Sequence, residues 1–310
     1  MPATLNSISR RQFIARSLAA LAGTLVVPKL FGAYTPPNPH RFALLTDTHI
    51  NAPDTHPYHV TDNCLRRVVG EIIHCRPLPM AAFVLGDLAF NSGECADYER
   101  FFKLMEPVRN VGIPIHLAVG NHDDRRHFWE MYPPENTPVA NRHVTIVPTE
   151  RANFFILDSQ DGTVGEQQLN WLTNALDAEP DFPAIIMVHH YPLPPGKSLD
   201  PKSKSYDLNA LRDTQALFDV ILPRKHVKAL FFGHSHTWNV SSRFGLHLIS
   251  LPWIGTGWVD LLLDHGSAQL NLSTLEPQPK MRKHLTLLWR KPTDYALAPG
   301  RTTTDGARLP

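Results

Sequence analysis

The chain has 310 residues, 43% of them hydrophobic, so it can bury a sizeable core and disorder of the whole chain is not expected. Thirty lysines and arginines nearly balance 29 aspartates and glutamates, and this net charge of +1 does not indicate a nucleic-acid or anionic-membrane partner. Seventeen histidines are an unusually large number. Because neutral histidine is the commonest metal ligand, composition gives a first hint of metal binding.

The first 33 residues are predicted to form an export signal. Arg10 and Arg11 precede an apolar run at residues 18–27, which Pro28 ends. This arrangement resembles a twin-arginine signal, and the run is too short for a membrane span, which needs about 20 apolar residues. The resemblance implies the twin-arginine export machinery as a partner, a periplasmic location and no stable membrane span. A short core helix and an uncleaved anchor are the alternatives.

Five apolar runs that each stop at polar residues predict buried β-strands after a proline-rich linker. These runs are residues 41–46, 81–85, 113–119, 184–188 and 227–232. Helical periodicity lies between or beside them at residues 61–75, 98–111, 166–176 and 208–220. The alternation of strands and helices predicts an α/β protein with one main domain at residues 40–275.

Two further segments, residues 144–158 and 243–275, alternate apolar and polar residues without an intervening helix, which predicts antiparallel strands. The predicted fold class is therefore α/β, with a two-layer mixed β-sheet sandwich flanked by helices. Residues 276–310 have weak periodicity and are predicted to be a C-terminal extension, with its last dozen residues mobile. The alternative is a tail that docks on the body through residues 285–289.

The three cysteines, Cys64, Cys75 and Cys95, are an odd number without a C-x-x-C spacing. They fit neither a disulfide framework nor a zinc ribbon. Cys64 and Cys75 share one face of a predicted helix, which favours buried thiols. A single disulfide in an oxidising compartment is the alternative.

Each predicted strand end carries residues that can bind a metal. In chain order the motifs are Asp47-Thr-His49, Gly86-Asp87, Gly120-Asn-His-Asp123, His189-His190 and Gly233-His-Ser-His236. Asp47 and His49 are two positions apart, so both face the same side of an ideal strand. Gly-Asp alone is a common turn dipeptide, whereas a glycine followed by amide, imidazole and carboxylate is far more specific. Because ligands collect outside the carboxyl ends of strands, the motifs predict one shared site.

This series resembles the motifs of the calcineurin-like metallophosphoesterases over about residues 41–260. The resemblance implies a hydrolase of phosphate esters with two divalent or mixed-valence metal ions, for which manganese, iron and zinc are the candidates. It also implies two ligand shells that share one aspartate, with attack by a hydroxide between the metals. The first shell is Asp47, His49, Asp87 and His236, and the second is Asp87, Asn121, His189 and His234. Two such ions with two aspartates and one hydroxide carry a net charge of about +1, which attracts an anionic ester.

The resemblance gives His122 a catalytic role without metal ligation, either stabilising the transition state or protonating the leaving oxygen. Asp123 would orient His122 through its other ring nitrogen, or would only cap the following helix. His189 is preferred over His190 as the ligand because it follows the apolar run directly.

Position 90 is phenylalanine, whereas purple acid phosphatases carry a tyrosine three residues after the Gly-Asp aspartate. The chain therefore looks closer to the bacterial cyclic-nucleotide and glycerophosphodiesterase-like branch, and a small-molecule phosphodiester is the favoured substrate. Phosphomonoester hydrolysis by the same cluster is one alternative. A scaffold protein that has lost catalysis is another.

Substrate contacts are predicted from neighbouring residues of the motifs. His190 would line the substrate pocket, and Arg125 would meet a second phosphate oxygen or only cap a solvent-facing helix. Trp238, Trp253 and Trp258 could each stack on a nucleobase, with structural packing as the alternative.

Overall fold

Two β-sheets of six strands each pack face to face in this computed structural model, which describes residues 36–52, 60–133, 137–276, 281 and 283–290. In this part of the chain the twelve strands are β1 (Asn38–Leu45), β2 (Pro79–Leu85), β3 (Ile115–Ala118), β4 (Thr145–Pro148), β5 (Asn153–Ile156), β6 (Ala184–Val188), β7 (Val227–Phe232), β8 (Asn239–Arg243), β9 (Leu246–Ser250), β10 (Gly257–Leu263), β11 (Ser267–Thr274) and β12 (His284–Leu288). The same described residues form five helices, which are α1 (Val60–His74), α2 (Cys95–Asn110), α3 (Arg125–Met131), α4 (Glu166–Asp177) and α5 (Thr214–Ile221).

Both sheets are mixed. The first has the order β12-β11-β10-β1-β2-β3, and β1, β2 and β3 are parallel. The second has the order β4-β5-β6-β7-β9-β8, with β5, β6, β7 and β9 parallel. This arrangement confirms the predicted α/β sandwich and places the carboxyl ends of β1, β2 and β3 beside one another, as it does those of β6 and β7.

The core lies between the sheets, and helices cover their outer faces. Phe42 and Phe83 of the first sheet contact Phe154 of the second, with ring centroids 4.9 and 4.7 Å away. Helices α1, α2 and α3 bury apolar residues against the first sheet, and α4 and α5 do so against the second. Burial of an apolar stripe stabilises each of these amphipathic helices more than intrinsic propensity does.

The sequence correctly predicts antiparallel pairing of β4 with β5 and of β10 with β11. It does not predict β8, which begins before residue 243 and pairs antiparallel to β9. It does not predict that β5 also pairs parallel to β6, and β9 parallel to β7. The carboxyl end of β5 therefore lies next to that of β6. This pairing brings residues 158–160 close to the candidate site.

The helix predicted to begin at residue 208 begins at Thr214. Leu211 donates its backbone N–H to the carbonyl of Tyr191, 2.8 Å away. The Asp213 carboxylate accepts hydrogen bonds from the backbone N–H groups of Val164 and Gly165. These contacts with distant segments keep residues 208–213 out of the helix, although their apolar residues have helical spacing.

Strand β12 pairs with β11, so residues 284–288 belong to the first sheet. The boundary predicted at residue 275 falls between two strands of that sheet, and residues 285–289 dock on the body as in the alternative. Residues 291–310 and the whole predicted export signal lie outside the described residues.

All three cysteines are free, so the alternative of a disulfide is wrong. Cys64 and Cys75 pack against the core under the first sheet but are half-buried rather than buried, and Cys75 lies one residue beyond the end of α1. Among the helices that the structure describes, none combines the length and apolar character needed to cross a membrane.

Arg290 fixes the end of the described chain to the second sheet and α5. Its buried guanidinium donates to the carbonyls of Val227, Ile221, Arg224 and Phe244, at 2.9 to 3.4 Å. Burial lowers the pKa of Arg290 to about 10. Arg290 thus donates to four main-chain carbonyls, of which that of Arg224 also accepts from the backbone N–H of Val227.

Arg290→Met is expected to lower the free energy of unfolding by about 3 kcal/mol or more, because it leaves buried carbonyls without donors. Arg151→Met is the control, since Arg151 pairs with the exposed Asp264, and such pairs contribute about 1 kcal/mol or less. Urea denaturation of both variants measures the difference. Equal losses of stability would contradict the proposed anchoring role.

Candidate metal centre

Loops that follow β1, β2, β3, β6 and β7 bring the seven predicted ligands together with His122. Their ligand atoms form three overlapping groups, and within each group the atoms lie within 4.8 Å of one another. The groups are Asp47-His49-His236, His49-Asp87-His122 and Asp87-His189-His234. Asn121 joins the last group, because its Oδ1 is 3.2 Å from His189 Nε2.

The first group is made by Asp47, His49 and His236. The Nε2 atoms of His49 and His236 are 3.1 Å apart, with Asp47 Oδ1 at 3.8 Å from the former and 3.3 Å from the latter. Two ring nitrogens and a carboxylate oxygen therefore point at one small volume. Both Asp47 oxygens also accept from the backbone N–H of His234, which fixes the carboxylate.

The second group surrounds the other side of Asp87. His189 Nε2 lies 3.2 Å from Asp87 Oδ2, and His49 Nε2 lies 3.8 Å from the same oxygen. His189 Nδ1 lies 2.7 Å from the carbonyl oxygen of Leu85, a contact that directs Nε2 towards the cluster. Asp87 thus belongs both to the group with His189 and His234 and to the group with His49 and His122, and the latter overlaps the first group at His49.

Five residues of the cluster have a left-handed backbone, with φ between 43° and 63°. They are Asp47, His49, Asp87, His234 and His236, and they account for most of the seven non-glycine residues with positive φ in the described chain. Such strain persists where the surrounding structure enforces it, commonly at functional sites. Backbone hydrogen bonds from Asp47 to Gly86 and from His49 to Asp87 provide that support here.

Gly120 allows the loop after β3 to approach the shared acid. A Cβ atom at this position would lie 2.2 Å from Asp87 Oδ1. The glycine of the Gly-Asn-His-Asp motif therefore serves a close approach that any other residue would block.

The charges of the cluster fit metal binding. Burial raises the pKa of Asp87, but the charge and hydrogen bond of His189 outweigh burial and hold that pKa well below its usual range. Burial lowers the pKa of His189, but Asp87 outweighs it and raises the value to about 9. Because a ligating histidine must be neutral, a metal ion would replace the proton of this buried pair. Burial, with the charge of His189, lowers the pKa of His234 to about 4, which leaves that ring neutral for coordination.

Comparison with known proteins agrees with this geometry. A family model described as calcineurin-like phosphoesterase matches residues 40–238. The chain belongs to the calcineurin-like phosphoesterases. It is therefore a metal-dependent hydrolase of phosphate esters.

This phosphoesterase is similar to several known proteins at low sequence identity. It is 27% identical to a 3′,5′-cyclic adenosine monophosphate phosphodiesterase of Pseudomonas aeruginosa over 215 residues, which cover 67% of this chain and 74% of the relative. It is 24% identical to a probable glycerophosphodiester phosphodiesterase of Arcobacter nitrofigilis over 250 residues, 75% of this chain and 88% of the relative. A dimetal phosphatase from Danio rerio matches in structure with a TM-score of 0.63 and 15% identity, covering 81% of this chain and 99% of that chain. The last similarity shows the fold alone.

His122 lies at the accessible side of the phosphoesterase cluster. Its ring stands edge-on to that of His49, with centroids 4.9 Å apart, and its backbone N–H donates to Asp87 Oδ1. Among the described residues its Nδ1 atom has no hydrogen-bond partner. The predicted orientation of this ring by Asp123 is therefore not what the structure shows.

Asp123 instead joins two loops. Its buried carboxylate accepts from the backbone N–H groups of Leu88, Ala89 and Gly120 and from the hydroxyl of Tyr98. The other predicted role, as the helix cap, is wrong as well, because Asp124 accepts from the backbone N–H of His127 at the start of α3. Sequence reasoning also missed Tyr98, which carries no local signal of this contact.

The two predicted substrate contacts differ in their surroundings. His190 is buried beside the cluster, with its ring 4.5 Å from that of His234 and its Nδ1 2.9 Å from Ser159 Oγ. Burial, with the charge of His189, lowers the pKa of His190 to about 2. Ser159 follows β5, and the apolar run that ends at Asp158-Ser159-Gln160 was the available signal for this extra strand end.

Arg125 does not present a free guanidinium. It makes two hydrogen bonds of 2.8 Å to the buried carboxylate of Asp158 and lies 3.4 Å from Asp161. Arg125 is thus the first residue of α3 and is paired with two aspartates, and the structure gives no support to its predicted contact with a phosphate oxygen.

Asp123→Asn is expected to lower both thermal stability and metal content, because an amide cannot accept from all of these donors and its NH2 group would face one of them. Loss of buried, charge-assisted hydrogen bonds of this kind costs about 2 to 4 kcal/mol. Asp124→Asn is the matched control, since asparagine caps helices as well as aspartate does. Thermal unfolding and metal analysis check both variants. Unchanged stability and metal content in Asp123→Asn would contradict the anchoring role.

Proposed function

We propose that the protein is a binuclear phosphodiesterase. The observation that carries the proposal is the position of Asp87, which is shared by two groups of ligand atoms at one buried site. The names of the bacterial relatives support diesters as substrates, since one refers to a cyclic nucleotide and another to glycerophosphodiesters. These names leave two classes of diester, one with a base and one without.

The donor set suits manganese, iron or zinc, because it combines imidazoles with carboxylates and one amide oxygen. Asp47, His49, Asp87 and His236 would hold one ion, and Asp87, Asn121, His189 and His234 would hold the second. When bound, two such ions would supply positive charge for the phosphoryl oxygens and would acidify a water molecule so that it can act as the nucleophile.

Residues of the protein orient the metal ligands and can donate a proton to the leaving group. The carbonyl of Leu85 orients His189, and Ser159 contacts His190, whose ring centroid lies 4.5 Å from that of His234. His122 is half-exposed, at the edge of the cluster, and has an unpaired ring nitrogen among the described residues. A proton held on this ring can pass to the leaving alcohol oxygen as its bond to phosphorus breaks.

The metal-loaded enzyme is expected to hydrolyse bis(p-nitrophenyl) phosphate with a higher kcat/KM than p-nitrophenyl phosphate. Assays with manganese, iron and zinc measure this ratio. A large preference for the monoester would reverse the choice of substrate. Absence of turnover with all three metals would favour a scaffold protein.

His122→Ala is expected to lower kcat by about a hundredfold or more, the range for loss of a general acid, while metal content stays unchanged. His127→Ala is the control, because His127 lies on α3 and contacts the carbonyl of Gly93 outside the cluster. Metal analysis and steady-state kinetics separate the roles. Parallel loss of metal and activity in His122→Ala would show that this residue is a ligand.

We also propose that the enzyme is exported to the periplasm by the twin-arginine machinery, on the basis of Arg10, Arg11 and the apolar run that follows. Replacement of both arginines by lysine keeps the charge and is expected to shift the protein from the periplasmic to the cytoplasmic fraction. Immunoblots of the two fractions measure the shift. The same distribution for both forms would rule out this route.

A further inference from the structure

Of the three tryptophans that could stack on a substrate, Trp253 alone borders the metal centre. Trp258 is buried and donates its indole N–H to Glu71, and Trp238 packs in the core between the sheets. Trp253 is half-buried, and its ring is nearly parallel to that of His236, with an angle of 12° and centroids 5.9 Å apart. At this separation the two rings are offset rather than fully overlapped.

The solvent-accessible side of the cluster is the side that Trp253 borders. The side chain of His236 is 46% exposed, whereas that of His189 is fully buried. Asn121 is exposed and His122 is half-exposed. A substrate that reaches the cluster from solvent therefore arrives beside the His236 and Trp253 rings.

Trp253 is held in place by the turn that contains it. The backbone N–H of Thr256 donates to the carbonyl of Trp253, 2.9 Å away. A Cβ atom at Gly255 would lie 2.3 Å from the indole ring, so the ring rests directly against the backbone of this glycine. The ring therefore cannot shift towards residue 255.

The Trp253 turn is also joined to the loop that carries His236. Ser250 Oγ and Ser235 Oγ are 2.6 Å apart, and the backbone N–H of Leu251 donates to the carbonyl of Phe232. The position of the indole relative to the metal centre is thus set before any substrate binds. Such preorganisation lowers the entropic cost of binding.

We propose that Trp253 is a specificity-determining residue, which forms an aromatic subsite beside the metal centre for the planar group of a phosphodiester, such as a nucleobase. This inference rests on the proposed phosphodiesterase function and selects one of its two diester classes. Stacking of a base on an aromatic side chain contributes about 1 to 3 kcal/mol, and it tolerates any base because each has a π face. An aliphatic diester has no planar group that could stack on this surface.

Trp253→Leu is expected to lower kcat/KM for 3′,5′-cyclic adenosine monophosphate by about tenfold through KM, in line with one lost stacking contact. Trp253→Phe keeps an aromatic ring and is expected to retain most of the activity. For glycerophosphoethanolamine, kcat/KM is expected to stay unchanged, as is the metal content. Trp171→Leu is the matched control, since this half-buried tryptophan of α4 contacts Phe155 instead. An equal loss on both substrates, or no loss on the cyclic nucleotide, overturns the subsite.

A binding measurement separates failure of the subsite from failure of the proposed function. Titration of the metal-loaded protein with adenosine 5′-monophosphate is expected to show binding about tenfold tighter than with ribose 5-phosphate. The difference should disappear in Trp253→Leu. Wild-type protein that shows this difference without hydrolysing either diester supports the subsite and contradicts the phosphodiesterase function. Equal affinities for the two phosphates overturn the subsite whatever the activity.

Discussion

The buried carboxylate of Asp87 is the constraint on which the rest of the site depends. Its Oδ1 accepts from the backbone of His122, and its Oδ2 lies 3.2 Å from His189 and 3.8 Å from His49. Asp87 is only 1% exposed. A buried carboxylate lowers the stability of the fold unless cations or hydrogen-bond donors surround it. His49 follows a strand of the first sheet and His189 one of the second. Asp87 therefore requires the carboxyl ends of strands from both sheets to lie close to one another.

The unusual backbone of the strand ends follows from this requirement. A strand that continued straight would carry its polar residues past the centre, whereas a left-handed residue two positions after the strand, as at Asp47, Asp87 and His234, turns the chain across it. Gly120 permits the loop after β3 to come within contact of the Asp87 carboxylate. Asp123 then ties that loop to the backbone of Leu88 and Ala89 after β2, so the turns hold one another. Hydrogen bonds between these loops therefore stabilise the strained backbone of the ligand residues.

Much of the fold and cluster could be predicted because the signals are local. An apolar run that stops at Asp47 or at His189 reveals both a strand and the residue at its end. The role of Asp123 could not be predicted, since three of its partners are backbone N–H groups, which leave no mark on the sequence. The late start of α5 has a similar origin, because the side chain of Asp213 bonds to residues almost 50 positions earlier in the chain. The position of Trp253 likewise depends on how β9 pairs with β7.

Metal stoichiometry of the purified protein tests the central claim most directly, because a shared Asp87 makes the two ions depend on one side chain. Mass spectrometry of the metal-loaded protein is predicted to find two equivalents per chain in the wild type. Asp87→Ala should retain less than one equivalent, whereas His234→Ala should lose one ion at most. A single equivalent in the wild type, or two retained by Asp87→Ala, would contradict a binuclear centre built around this carboxylate.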